Sequence, residues 1–236
     1  METSQLPQDP SPMSRAMAIT YAVGVPLALL VLIFLPAGSF AWWPGWVFIA
    51  VLLLGFVVSA GILAKVNPVI FRARSRVQAG TKGWDKALLW LMLPLMTTVL
   101  PVGAFDAGRF HGAAAPAAVV WLGYAGIVLG LALATWAQAV NPFFEPGVRL
   151  QSERHHHVID SGPYRVVRHP GYVAALLLFF GMALALGSFW ALVPAALTAG
   201  LLVLRTAWED QMLHAELAGY AEYARRVRWR LVPGLW

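Results

Sequence analysis

The chain has 236 residues, 59% of them hydrophobic and only 12% charged, with a formal net charge of +6. Its mean hydropathy is +0.67. A soluble domain carries about 25% charged residues, so these figures exclude an ordinary water-soluble globule, a disordered chain and a collagen-like chain, and they leave an integral membrane protein. There is no cysteine, which excludes disulfides, thiolate metal sites and cysteine nucleophiles. Residues 1–15 are polar and Pro-rich and read as a disordered tail. From Ala16 to Ala64 no Asp, Glu, Lys or Arg occurs. That run is too long for one span, and the turn signal Trp42-Trp43-Pro44-Gly45-Trp46 divides it into helices near Ala16–Leu35 and Trp46–Ala64. Ala87–Phe105 predicts a third span and Ala117–Val140 contains a fourth. The last uncharged run, His169–Leu204, would be about 54 Å as one helix against a hydrocarbon core of about 30 Å. Gly187-Ser188 breaks it into a hairpin of two short arms. The expectation is an all-α, polytopic membrane helix bundle of six spans, or five if one arm is re-entrant. A four-span bundle (16–140) would precede a functional region (141–236).

The loops set an orientation. Lys65, Arg72, Arg74, Arg76, Lys82 and Lys86 lie in one loop, and Arg149, Arg154, Arg165 and Arg168 in the next on the same side. The tail adds Arg205, Arg225, Arg226, Arg228 and Arg230, and the N-terminal segment adds Arg15. That is 16 of 17 basic residues, with Arg109 alone opposite. Lys and Arg mark the cytoplasmic side, so both termini and both long loops are expected to be cytosolic. The positive charge then needs no nucleic acid to explain it.

The stretch Asn141–Tyr172 is the richest in chemistry. It holds three consecutive histidines, His155 to His157, together with Tyr164, Arg165, Arg168, His169 and Tyr172, punctuated by Gly162-Pro163 and His169-Pro170-Gly171. A loop of about 30 residues between spans is usually functional, although a basic loop can also touch anionic headgroups. Arg165, Arg168 and His169 stand beside a span start where prolines fix the backbone, a place suited to gripping a carboxylate or phosphate. Further on, Arg205 and Glu209 share a helix face at i,i+4, where a surface ion pair is the plainer explanation. Leu213, Leu217, Tyr220, Tyr223 and Val227 form one side of an amphipathic segment that could lie on the membrane or cap a pocket. Adjacent histidines do not readily converge on one ion, and no metal site is assigned. No dinucleotide fingerprint or P-loop is present. Gly123, Gly126 and Gly130 share a face of the fourth span, where small residues allow either close helix packing or close approach of a ligand. Val66-Asn67-Pro68 echoes Val140-Asn141-Pro142 too briefly to argue a repeat.

His156, Ser161-Gly162-Pro163-Tyr164-Arg165, Val167-Arg168-His169-Pro170 and Tyr172 resemble the G-P-Y-R-x-V-R-H-P-x-Y signature of integral membrane methyltransferases, the isoprenylcysteine carboxyl methyltransferase and phospholipid methyltransferase relatives. Glu209-Asp210, Leu213, Tyr220, Tyr223 and the basic tail through Pro233 resemble the family's second element, with Asp210 standing where Glu is common. The resemblance implies a helical membrane enzyme using S-adenosyl-L-methionine. Its cofactor contacts would be His156, Tyr164, Arg165, Arg168, His169, Tyr172, Glu209 and Asp210, with Arg205 and Glu209 nearest the reacting groups. It implies a lipophilic acceptor reached from the membrane lipids, and no obligate protein partner. An NADPH-dependent sterol-reductase-like enzyme, which shares the Arg-His-Pro and Tyr-x-x-Tyr pattern, and a non-catalytic membrane scaffold are the alternatives.

Overall fold

The computed structural model describes residues 15–112 and 115–236. The tail expected at 1–15 lies outside the described residues except for Arg15, which begins the first helix. All regular structure among the described residues is helical. Five helices are long and apolar enough to cross a membrane. They are α1 (Arg15–Ala37), α2 (Trp43–Val66), α4 (Gly83–Ala104, continued by a π-helical turn at Phe105–Phe110), α5 (Ala117–Val140) and α7 (Leu192–Glu216). Between them lie the short α3 (Ile70–Ala73) and the 16-residue apolar α6 (Pro170–Ala185), and α8 (Tyr220–Arg226) follows α7.

The composition of these helices explains their placement. Many large apolar side chains point outward, among them Leu35, Leu54, Trp90, Trp121 and Trp190, as expected where lipid is the solvent. The buried core of α1, α2, α4 and α5 is built from Ile33, Phe34, Phe48, Leu52, Leu100, Ile127 and Leu131. The most extensive helix contact is α5 on α6, and its cause is the glycine stripe. A Cβ at Gly126 would come within 3.2 Å of the Gly181 Cα, one at Gly130 within 3.0 Å of the Ala174 carbonyl, and one at Gly123 would strike the Ala185 backbone. The small residues therefore serve helix packing and leave no room for a ligand there.

The hairpin forms at the expected break. Gly187 takes φ +75, and Ser188 donates to Asp106 at 2.5 Å, which ties the turn to the π-helical segment. The 16 residues of α6 reach about 24 Å at the α-helical rise. That length carries the arm from the loop end of the bundle to the opposite end.

One difference matters for the site. The last span does not stop near Leu204; α7 continues to Glu216 and projects its last three turns among the loops. The amphipathic segment expected over Leu213–Val227 is divided at Gly219, which adopts φ +81. Its apolar residues nevertheless share one cluster, in which Leu217, Tyr220, Tyr223 and Val227 pack with Leu150 and Val158 of the long loop. That face is covered by protein, so the segment caps the loop and does not lie on lipid.

Candidate active site

The loop end is organised around two buried carboxylates. Asp210 is fully buried. Arg168 donates to it through Nε (2.8 Å) and Nη2 (3.0 Å), Arg230 through Nε (2.8 Å) and Tyr220 through its hydroxyl (2.8 Å). His169 Nε2 lies 3.3 Å from the same carboxylate. Arg168 also donates through Nη1 to the carbonyls of Val227 and Arg228, so four of its five N–H groups are spent on protein. The Arg168 and His169 amides donate to the carbonyls of Trp229 and Arg230. The Arg-His turn, the acidic end of α7 and the basic tail thus form one unit.

This unit has clear electrostatics. Burial works against the Arg168 charge, but the Asp210 carboxylate outweighs it and the Arg168 pKa is raised. Burial, then the Asp210 charge, push the Tyr220 pKa up, so this phenol remains a donor. Arg168 and Tyr220 therefore each hold the protonation state that their hydrogen bonds to Asp210 require.

The second carboxylate is Asp85, in the first turn of α4 and fully buried. Arg205 donates to it through Nε (2.7 Å) and Nη2 (3.1 Å), and Nη2 also reaches the Pro146 carbonyl at 2.6 Å. The Val148 amide donates to Asp85 at 2.7 Å. Arg205 is therefore paired across the bundle with α4, and not with Glu209 on its own helix face. Sequence reasoning passed over Asp85, although a signal was present: no other acidic residue occurs between Asp9 and Asp106. A lone acid at a span terminus invites a buried cation.

Between the two ion pairs stand Tyr172 and Glu209. The Tyr172 hydroxyl donates to Glu209. The Tyr172 ring lies parallel to that of His169, with centroids 5.6 Å apart, and Arg205 sits over its centroid at 5.3 Å. Glu209 is half-buried and has no cationic side chain on it among the described residues.

The remaining expected residues scatter more widely. Tyr164 is buried; its hydroxyl accepts from Asn141 at 2.9 Å and its carbonyl accepts from the Tyr223 hydroxyl at 2.8 Å. Arg165 is exposed beside the same turn. His156 packs on Phe143 at 4.5 Å, with His157 edge-on to the same ring at 5.0 Å. Burial first, then the neighbouring charges of His157, Arg149 and Arg154, lower the His156 pKa to about 4. Among the described residues no group of three or more His, Asp or Glu is placed to hold a metal ion.

The two asparagines of the short sequence echo have a structural role. Asn67 and Asn141 each end a helix, and Asn67 Nδ2 donates to the Gln138 carbonyl at 2.7 Å. They tie α2 to α5 beneath the site.

Fold and site together define a polytopic helical membrane protein with a buried ionic centre at one end. Residues 118–218 match the family model described as phospholipid methyltransferase. The match begins in α5 and ends just past α7, so it takes in the packed α5–α6 pair and both Glu209 and Asp210. The chain is also similar to the cobalt-zinc-cadmium resistance protein CzcN of Cupriavidus metallidurans, at 29% identity over 135 residues. That alignment covers 56% of this chain and 57% of the relative.

Proposed function

We propose that this protein is an integral membrane methyltransferase that uses S-adenosyl-L-methionine and methylates a lipophilic acceptor at the cytosolic leaflet. The observation that carries the reading is the direct contact of the Arg168-His169 turn with Glu209-Asp210, 41 residues apart in the chain (169 to 210). These are the two stretches that resemble the family's motifs, and the family match spans both. When bound, the donor supplies a methyl group already activated on a sulfonium, so the protein has to align, enclose and exclude water.

The side chains at the site fit such a donor. Glu209, half-buried and bonded only by the Tyr172 hydroxyl, has acceptor capacity left for an ammonium. The parallel rings of His169 and Tyr172 offer faces to a cation or a heterocycle. Arg168 is committed to Asp210, so Arg165 is the cation of this turn left for a carboxylate. Asp210 in this reading positions the turn and the tail and does not touch the donor. Tyr164 and His156 shape the loop that closes over the site. A carboxylate acceptor needs no base; with an amine or thiol acceptor, Glu209 or His169 would take the proton. The cytosolic assignment is supported by the basic residues of two loops and the C-terminal tail, which lie at the same end of the bundle.

Equilibrium binding of labelled S-adenosyl-L-methionine and of NADPH to the purified protein tests the reading. Donor binding without NADPH binding is expected, and Glu209→Gln should weaken the donor about tenfold, the loss of one charge-assisted contact. NADPH binding alone would place the chain with the reductases, and binding of neither would leave a scaffold. Incubation with labelled donor and a membrane lipid extract, followed by mass analysis, then identifies the acceptor.

A further inference from the structure

Asp106 and Arg109 are the only Asp, Glu, Lys or Arg residues between Lys86 and Glu145. Both belong to the π-helical turn Phe105–Phe110 that continues α4. The other end of α4 carries Asp85 to the ionic centre, so this turn lies at the opposite end of the bundle. A π-helical turn inside a helix frequently marks a functional site. Here it borders a cavity of about 680 Å³, a size suited to a small ligand or a headgroup. The cavity wall is apolar, built from Pro36, Val102, Phe105, Phe110 and Trp190, and Asp106 brings the one ionisable group to it.

Only half of the Asp106 carboxylate is explained by the fold. Oδ2 accepts from the Ser188 hydroxyl at 2.5 Å, and Ser188 Oγ accepts from the Ala191 amide at 3.2 Å, which ties the α6–α7 hairpin to α4. Oδ1 has no hydrogen-bond partner among the described residues. No fully buried side-chain oxygen lacks a partner among them, so Oδ1 is accessible. A Cβ at Gly112 would come within 2.4 Å of Oδ1. Gly112 also lines the cavity, and its missing side chain keeps the approach to Oδ1 open.

No cation answers this carboxylate. Asp106 makes no ion pair among the described residues. Arg109 lies instead over the Phe105 ring, 5.9 Å from its centroid, and against Gly38, where a Cβ would strike its guanidinium. The His111 ring meets the Ala107 carbonyl at 3.4 Å. A carboxylate among apolar groups in a membrane protein is costly without a counter-ion, which sets the charge of the ligand. The apolar wall sets its body, and aromatic rings attract an ammonium as well.

We propose that this cavity binds the ammonium head of a membrane amphiphile, with Asp106 Oδ1 as the counter-ion and Phe105, Phe110 and Trp190 as the aromatic wall. Phe110 and Trp190 are exposed, so the apolar chain of the amphiphile runs along them into lipid. Asp106 and Gly112 lie outside the stretch 118–218 that matches the family, and the site does not rest on the methyltransferase reading.

The test uses the full chain in dodecyl maltoside, with empty micelles as background. Binding of labelled dodecylammonium, dodecyltrimethylammonium and neutral dodecanol is measured for the parent, Asp106→Asn, Ser188→Ala, Gly112→Val and Glu222→Gln. Glu222 is exposed in α8, at the loop end, and controls for the loss of one negative charge. Asp106→Asn should weaken both ammonium amphiphiles about tenfold, the loss of one charge-assisted contact, and leave dodecanol unchanged. Gly112→Val should weaken the ammonium amphiphiles by filling the space beside Oδ1. Ser188→Ala, which frees Oδ2 and keeps the charge, should retain binding, and Glu222→Gln should have no effect. Equal losses in Asp106→Asn and Glu222→Gln would reduce the effect to general surface charge and overturn the proposal. A loss in Ser188→Ala as large as in Asp106→Asn would make the carboxylate a tie in the hairpin alone, which also overturns it. If Asp106→Asn does not fold, Gly112→Val decides, and unchanged affinities there refute the site. Displacement of the amphiphiles by tetramethylammonium at equal concentration would show that the wall adds nothing, and would overturn the choice of an amphiphile.

Discussion

Glu209 and Asp210 are neighbours in sequence, and one helical step turns their side chains about 100° apart. Asp210 points into protein and meets two arginines and a tyrosine; Glu209 points to the half-buried space beside Tyr172. Their substitutions should therefore fail in different ways. Removing one partner of a buried ion pair costs about 3–5 kcal/mol. Asp210→Asn should accordingly lower the unfolding temperature of the detergent-solubilised protein sharply, and Asp85→Asn should do the same by stranding Arg205. Glu209→Gln should leave that temperature nearly unchanged. Equal melting of all three would remove the distinction between a carboxylate that holds the fold and one that faces a ligand. The short reach of aspartate suits the burial of residue 210 against the Arg168 fork. His155→Ala should be silent, since His155 is exposed and occupies a turn at φ +52.

At the level of single elements, the long loop and the α5–α6 pair give separate tests. His156 is held neutral by burial, with its pKa lowered from 6.5 to about 4. A histidine depressed in the folded state contributes stability that is complete above its unfolded pKa and is lost as pH falls through the folded one. Hydrogen-exchange protection of residues 151–158 should thus decline between about pH 6.5 and pH 4, the window set by those two values. A His156 imidazole resonance titrating near 6.5 would show that the ring is not buried against Phe143. For the helix pair, Gly123→Val forces a side chain into the Ala185 backbone, whereas a Cβ at Gly61 of α2 meets nothing within 4 Å. Gly123→Val should abolish a monodisperse elution profile, and Gly61→Ala should elute as the parent does. Much of this was legible. The breaks at 42–46 and 187–188, the glycine face and the apolar positions 213–227 are local patterns, and local patterns fix periodicity. The division of the last segment at Gly219 was not legible, because a glycine inside an amphipathic pattern is compatible with helix until a neighbour, here the Val158 loop, takes its place.

For the whole molecule, the uneven distribution of Lys and Arg makes a topological statement that the absence of cysteine renders easy to test. Single cysteines at exposed Ser152 and Arg225 should be labelled by an impermeant maleimide from one side of a sealed vesicle, and one at exposed Ser39 from the other. Labelling of Ser152→Cys and Ser39→Cys from the same side would break the orientation on which the proposed use of a cytosolic donor depends.

The amino-acid sequence alone determined that this chain is a helical membrane protein, where its helices break, and which two motifs resemble a methyltransferase. Each of these depends on the composition or spacing of nearby residues. Only the tertiary structure decided that Arg205 pairs with Asp85 and not with Glu209, and that Arg168 serves Asp210 and the tail. The Arg168–Asp210 and Arg205–Asp85 pairs span 42 and 120 positions of chain, and choosing a partner at that distance depends on which helix ends the packing brings together.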